Sequence, residues 1–171
     1  RTYPVLYLMH GGGESHTVWQ QRGNLRQLAD SLIGSGTIGD MVIVCPEANK
    51  NNMIYFNAPH WKFEDYFFNE LVPYVEKTYR VRTDKGGRAI AGFSMGGGAA
   101  TVYGVHHPEM FSMVYDISGY LRRQPLEWLK NDPSGEWRQK NVEDNNPIIR
   151  VSNGSEADVK AWKLVDWIVS V

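Results

Sequence analysis

Ala89-Ile90-Ala91-Gly92-Phe93-Ser94-Met95-Gly96-Gly97-Gly98 is the stretch that decides the fold. A short apolar run enters Gly92-Phe93-Ser94-Met95-Gly96. A helical pattern rich in small residues, Met95 to His106, leaves it and stops before Pro108. Gly-x-Ser-x-Gly between a strand and a helix is a nucleophile elbow, a strained turn that lifts a serine hydroxyl clear of the end of a sheet. Gly92 and Gly96 must be small so that the backbones can pass. The helix start brings its N–H groups and its dipole to the same place. Ser94 is therefore the candidate nucleophile, and the N–H of Met95 a candidate oxyanion donor. The plainer alternative is a glycine-rich turn that only packs tightly.

Outward from the elbow, Val5–Met9, Met41–Cys45, Ser112–Ile117 and Val165–Val169 are short apolar runs. Runs apolar on both faces suit parallel strands covered by helices. Between them, Leu25, Leu28, Ala29, Leu32 and Ile33 form a helical pattern that Gly34 ends. Phe63, Phe67, Leu71 and Val75 recur every four residues in a second pattern, where Pro73 predicts a kink. The alternation describes an α/β protein with a mostly parallel sheet flanked by helices, and the elbow within it points to the α/β-hydrolase class. Residues 120–163 break the rhythm and read as a cap-like insertion over the carboxyl ends of the strands. Short helices are expected there around 126–131 and 156–162. Residues 1–171 read as one domain, incomplete at both ends.

His10-Gly11-Gly12-Gly13 follows the first strand. Such a loop is the usual source of a second oxyanion donor, here the N–H of Gly12. His10 precedes the nucleophile, against the Ser, acid, His order of this fold, and is expected to brace the loop. Three glycines in a row lack Gly-x-Gly-x-x-Gly spacing, and no Gly-Lys-Ser/Thr occurs, which argues against nucleotide binding. His106-His107 and His10/His16 have no metal-ligand partner at a usable spacing, so no metal and no cofactor is expected. Lys and Arg number 18 against 19 Asp and Glu, leaving no basic excess for nucleic acid. No apolar run approaches the roughly 20 residues of a membrane span. Cys45 alone can form no internal disulfide and reads as a buried thiol.

After Ser94 the only histidines are His106 and His107, with no Asp or Glu between. No triad in the hydrolase order closes inside the chain. Asp116 is the best internal acid candidate, although it falls within a strand. Tyr55, Phe56, His60 and Trp61 form an aromatic cluster that reads equally as a wall for a substrate ring or as packing under a long loop.

Tyr3 to Gly13, Gly92 to Gly98 and His107-Pro108-Glu109-Met110-Phe111, with Glu64-Asp65-Tyr66-Phe67 and Glu70 to Val75, together resemble the esterase D-like family. That group includes feruloyl and acetylxylan esterases. The resemblance implies a secreted or periplasmic serine esterase that removes feruloyl or acetyl groups from plant-cell-wall polysaccharide, with a carbohydrate or small aromatic ester as substrate. It also implies a catalytic acid after the strand matching 165–171 and a later histidine. Relatives in the same fold act on formylglutathione, so the substrate stays open. A binding module that kept only the elbow and a serine acyltransferase are the competing readings.

Overall fold

The computed structural model describes residues 1–48, 55–58, 61–121, 140 and 143–171. The elements run in this order: β1 (Val5–Met9), α1 (Val18–Gly23), α2 (Leu25–Gly34), β2 (Val42–Val44), β3 (Asn57–Ala58), β4 (Trp61–Lys62), α3 (Phe63–Tyr66), a π-helical turn (Phe67–Leu71), α4 (Val72–Thr78), a 3₁₀ turn (Lys85–Gly87), β5 (Arg88–Phe93), α5 (Met95–His106), β6 (Met113–Ile117), α6 (Pro147–Ser152), α7 (Glu156–Trp162) and β7 (Asp166–Ser170). The five expected strands are all present, each within two residues of its sequence limits, as is the helix at 156–162. The helix expected at 126–131 lies outside the described residues.

The main sheet has the order β2-β1-β5-β6-β7 and every pair in it is parallel. The chain leaves β1 in one direction to reach β2, then crosses to the other side of β1 to build β5, β6 and β7. The switch point therefore lies between β1 and β5. In an open parallel sheet a ligand crevice forms there, beyond the carboxyl ends of the strands. Right-handed crossovers in opposite directions place α1 and α2 on one face and α3, α4 and α5 on the other. The latter face holds the core: Tyr7 meets Phe67 edge-on at 5.1 Å, and Phe67 meets Tyr103 of α5 at the same distance. Met9, Ile90, Phe111 and Val114 are buried around them.

Just before Pro73, where the sequence predicts a kink, the helix widens by a turn in which Val72 N–H bonds to Phe67 O, five residues back. Pro73 then sits in the first turn of α4, where a missing N–H breaks no helical bond. Of residues 120–163, Tyr120 stays at the elbow, its N–H bonded to Ser94 O, while the described part from Asp144 to Trp162 reaches the far end of α5. Asp144 O accepts from His106 Nε2, and Trp162 Nε1 donates to Val105 O. Both contacts lie at the C-terminal end of α5, because the crossover from β6 must return the chain to the amino end of β7. Cys45 is half-buried rather than buried.

Candidate active site

Adjacent parallel strands set the site. Met9 of β1 pairs with Gly92 of β5, so the loop after β1 and the elbow after β5 leave the sheet side by side. Ser94 caps α5 with φ 53° and ψ −113°, a conformation that disfavours any residue with a Cβ. The surroundings hold it there: Ser94 N–H donates to Ile117 O at 2.9 Å, and Ser94 O accepts from Gly98 N–H and Tyr120 N–H. A Cβ on Gly92 would lie 2.3 Å from Gly96 C, and one on Gly96 2.5 Å from Met9 O. These two contacts are why the elbow needs glycine on both sides of the serine. The Ser94 hydroxyl is partly exposed and has no hydrogen-bond partner among the described residues.

Met95 and Gly12 lie side by side. A Cβ built on Gly12 would sit 3.9 Å from Met95 Cβ. Neither N–H has a partner among the described residues, and Met95 is the first residue of α5, where helix N–H groups are unpaired. Two such unpaired N–H groups are of the kind that donate to the negative oxygen of a tetrahedral intermediate.

The loop is braced from below. His10 is fully buried. Its Nδ1 lies 2.8 Å from Gly11 O, and its Nε2 accepts from Ala48 N–H at 3.2 Å. The expected bracing role of His10 agrees with these contacts. Tyr55 supplies the other half of the brace. Its hydroxyl accepts from His10 N–H at 2.8 Å and donates to His10 O at 3.3 Å, while Tyr103 hydroxyl donates to Tyr55 O. Burial pushes the Tyr55 phenol well above its usual range.

The reading of Tyr55 and Phe56 as a substrate wall is corrected. They are 0% and 3% exposed and belong to the core, so neither offers a face to a ligand. Sequence alone could not separate a buried aromatic from an exposed one in a segment without periodicity. Trp61 is half-buried and stacks on Phe63, and His60 lies outside the described residues. The aromatics at the crevice are others. Phe93 is 42% exposed beside Ser94, and its ring would lie 3.2 Å from a Cβ on Gly11. Tyr120, 58% exposed, is tied to the elbow through its N–H bond to Ser94 O. Phe93 had a sequence signal as the variable residue of the motif, whereas Tyr120 had none.

No described histidine reaches Ser94. His106 is twelve residues further along α5, about 18 Å at the helical rise. His106 Nδ1 lies 2.8 Å and His107 Nε2 3.2 Å from Glu64 Oε1. Burial alone would raise the Glu64 pKa, but the hydrogen bonds from both imidazoles bring it down to about 2. Burial likewise opposes the charged form of His106, yet the Glu64 carboxylate raises its pKa. Asp116 is buried in β6, where Oδ2 accepts from Thr101 of α5 at 2.8 Å, and it meets no imidazole among the described residues. Glu64 was missed as a partner because it stands 42 residues before His106.

A parallel sheet with its elbow and glycine loop at the switch point defines the α/β-hydrolase class. Within that class, residues 1–166 match the family described as "Putative esterase", and the chain belongs to it. An endo-1,4-beta-xylanase/feruloyl esterase of Xylanibacter ruminicola is 35% identical over 120 residues, 68% of this chain and 16% of the relative. A solved ferulic acid esterase is 38% identical with a TM-score of 0.86, over 99% of this chain and 66% of that one. An S-formylglutathione hydrolase of Staphylococcus aureus shares the fold at 18% identity and a TM-score of 0.71, over 99% of this chain and 64% of that one. The chain thus spans under a fifth of the curated relative and about two thirds of the solved ones.

Proposed function

We propose that this chain carries the nucleophile and oxyanion hole of a serine carboxylic-ester hydrolase that removes feruloyl, or less readily acetyl, groups from plant-cell-wall polysaccharide. The observation that carries the reading is Ser94, held at φ 53° at the start of α5, next to Met95, whose side chain lies against Gly12 of the glycine loop. Ser94 Oγ attacks the ester carbonyl carbon and gives up its proton to a base. The carbonyl oxygen becomes an oxyanion that accepts from the two N–H groups. Collapse expels the sugar alkoxide, which takes a proton, and leaves acyl-Ser94. Water then attacks the acyl carbon and frees the acid. Each oxyanion donor contributes on the order of 3 kcal/mol to this transition state.

A serine hydroxyl needs a base. On this reading the base and its acid stand outside the described residues, among which no imidazole bonds to Ser94, in keeping with the Ser, acid, His order of the fold. Phe93 and Tyr120, exposed at the crevice, give an aromatic acyl group two rings to lie against. The names of the relatives at 35% and 38% identity favour a feruloyl ester, and such a substrate suits a secreted or periplasmic protein.

A fluorophosphonate probe tests the nucleophile: the adduct should map to Ser94 and vanish in Ser94→Ala. An adduct on Ser15 or Ser118 would sink the reading. No adduct on the intact protein would leave a binding module. Methyl ferulate, acetylated xylan and S-formylglutathione should rank in that order by kcat/KM, and a clear preference for the thioester would overturn the substrate class. Preferential transfer to added alcohol over water would mark an acyltransferase.

A further inference from the structure

We propose a second site at the opposite end of α5: Glu64, His106 and His107 form a binding site for one divalent transition-metal ion of the zinc class, which clamps α3, α5 and the segment before α6 together.

The three side chains converge from distant parts of the chain, and their ligand atoms all lie within 4.8 Å of one another. Glu64 Oε1 is 2.8 Å from His106 Nδ1 and 3.2 Å from His107 Nε2. Tetrahedral ligands at zinc distances stand about 3.3 Å apart, so a small outward shift of each group admits the ion. Two imidazoles and a carboxylate are a zinc-type donor set, since imidazole suits zinc and a single carboxylate adds charge without demanding six oxygens.

The outer shell is in place for His106, and a carboxylate stands near His107. A metal-bound imidazole donates its other N–H to a carbonyl or carboxylate, which fixes ring and tautomer. His106 Nε2 faces Asp144 O at 2.6 Å, which leaves Nδ1 free to coordinate. His107 Nδ1 faces Glu109 Oε1 at 3.7 Å, and its ring lies against Phe68 at 3.8 Å between centroids. The three groups also line a cavity of about 960 Å³ with Asn57 and Asn69, which gives an ion entry and leaves room for a water as fourth ligand. The site is about 18 Å from Ser94 along α5, so its role is mechanical. His106 holds Asp144 O, so a metal on the other ring nitrogen fastens the returning crossover to the body of the domain.

The test uses the untagged intact protein. After dialysis against zinc and then metal-free buffer, one zinc per chain is expected by elemental analysis. EDTA should remove it and lower Tm by roughly 4 °C or more. His107→Asn and Glu64→Gln should lose the retained zinc and the zinc-dependent part of Tm. Cobalt substitution of the unaltered protein gives a second readout that needs no variant: a tetrahedral visible spectrum without thiolate charge transfer. Zinc no higher than in a buffer blank, equal retention by His107→Asn, or a thiolate band pointing to Cys45 would each overturn the site.

Discussion

Replacing Gly96 by alanine should cost the protein most of its turnover while leaving substrate binding nearly intact. The added Cβ would lie 2.5 Å from Met9 O and 2.7 Å from both His10 O and Met9 C. Ordinary contact begins near 3.4 Å, so the first contact is about 0.9 Å too short. All three atoms are backbone, and β1 is hydrogen-bonded between β2 and β5, so the strand cannot give way cheaply. The start of α5 must move instead. That carries Met95 N–H away from Gly12 N–H by something under 1 Å. A misplacement of that size costs roughly 10²-fold in rate, and overpacking costs about 1–3 kcal/mol in stability. Steady-state hydrolysis of methyl ferulate by the intact protein should therefore show kcat down about 10²-fold with KM little changed. Gly12→Ala is the control for stability: its Cβ would meet nothing closer than 3.9 Å, so Tm should hold. A Gly96→Ala protein with unchanged kcat and Tm would refute the argument that the elbow and the loop share one rigid geometry.

Three further outcomes test the site. Ser94→Gly should abolish fluorophosphonate labelling yet raise stability by about 1 kcal/mol in urea melts, because glycine adopts φ 53° without the strain of a Cβ; an unchanged or lower midpoint would contradict stored strain. Tyr55→Phe leaves the buried N–H and carbonyl of His10 without their hydroxyl partner, so a loss of about 1–3 kcal/mol is expected, with a lower kcat as the glycine loop loosens; unchanged Tm would show that the brace is idle. Residues 1–171 expressed alone should turn over p-nitrophenyl acetate only at the residual level of an oxyanion hole without a base, about 10³–10⁴ over water, and full turnover would mean that a histidine of this chain serves Ser94 after all.

The sequence by itself determined the main strands and helices and singled out Ser94 as the candidate nucleophile. Strand and helix periods are local, and a serine forced to positive φ between two crowded backbones leaves its mark as Gly92 and Gly96. The loop after β1 was legible for the same reason, since its backbone N–H groups need glycine. What only the tertiary structure decided depends on residues far apart in the chain. The crossing from β2 to β5 makes the switch point, and no single segment encodes the order of strands. Tyr55 turned from a candidate wall into a brace because its hydroxyl meets His10, 45 residues away. The turn at 67–71 widened because a proline is free of cost in a new first turn, a choice made by packing Phe67 against Tyr7 and Tyr103. Glu64 met His106 and His107 only when α3 and α5 packed on the same face of the sheet, and a partner 42 residues distant has no spacing that a sequence pattern could register.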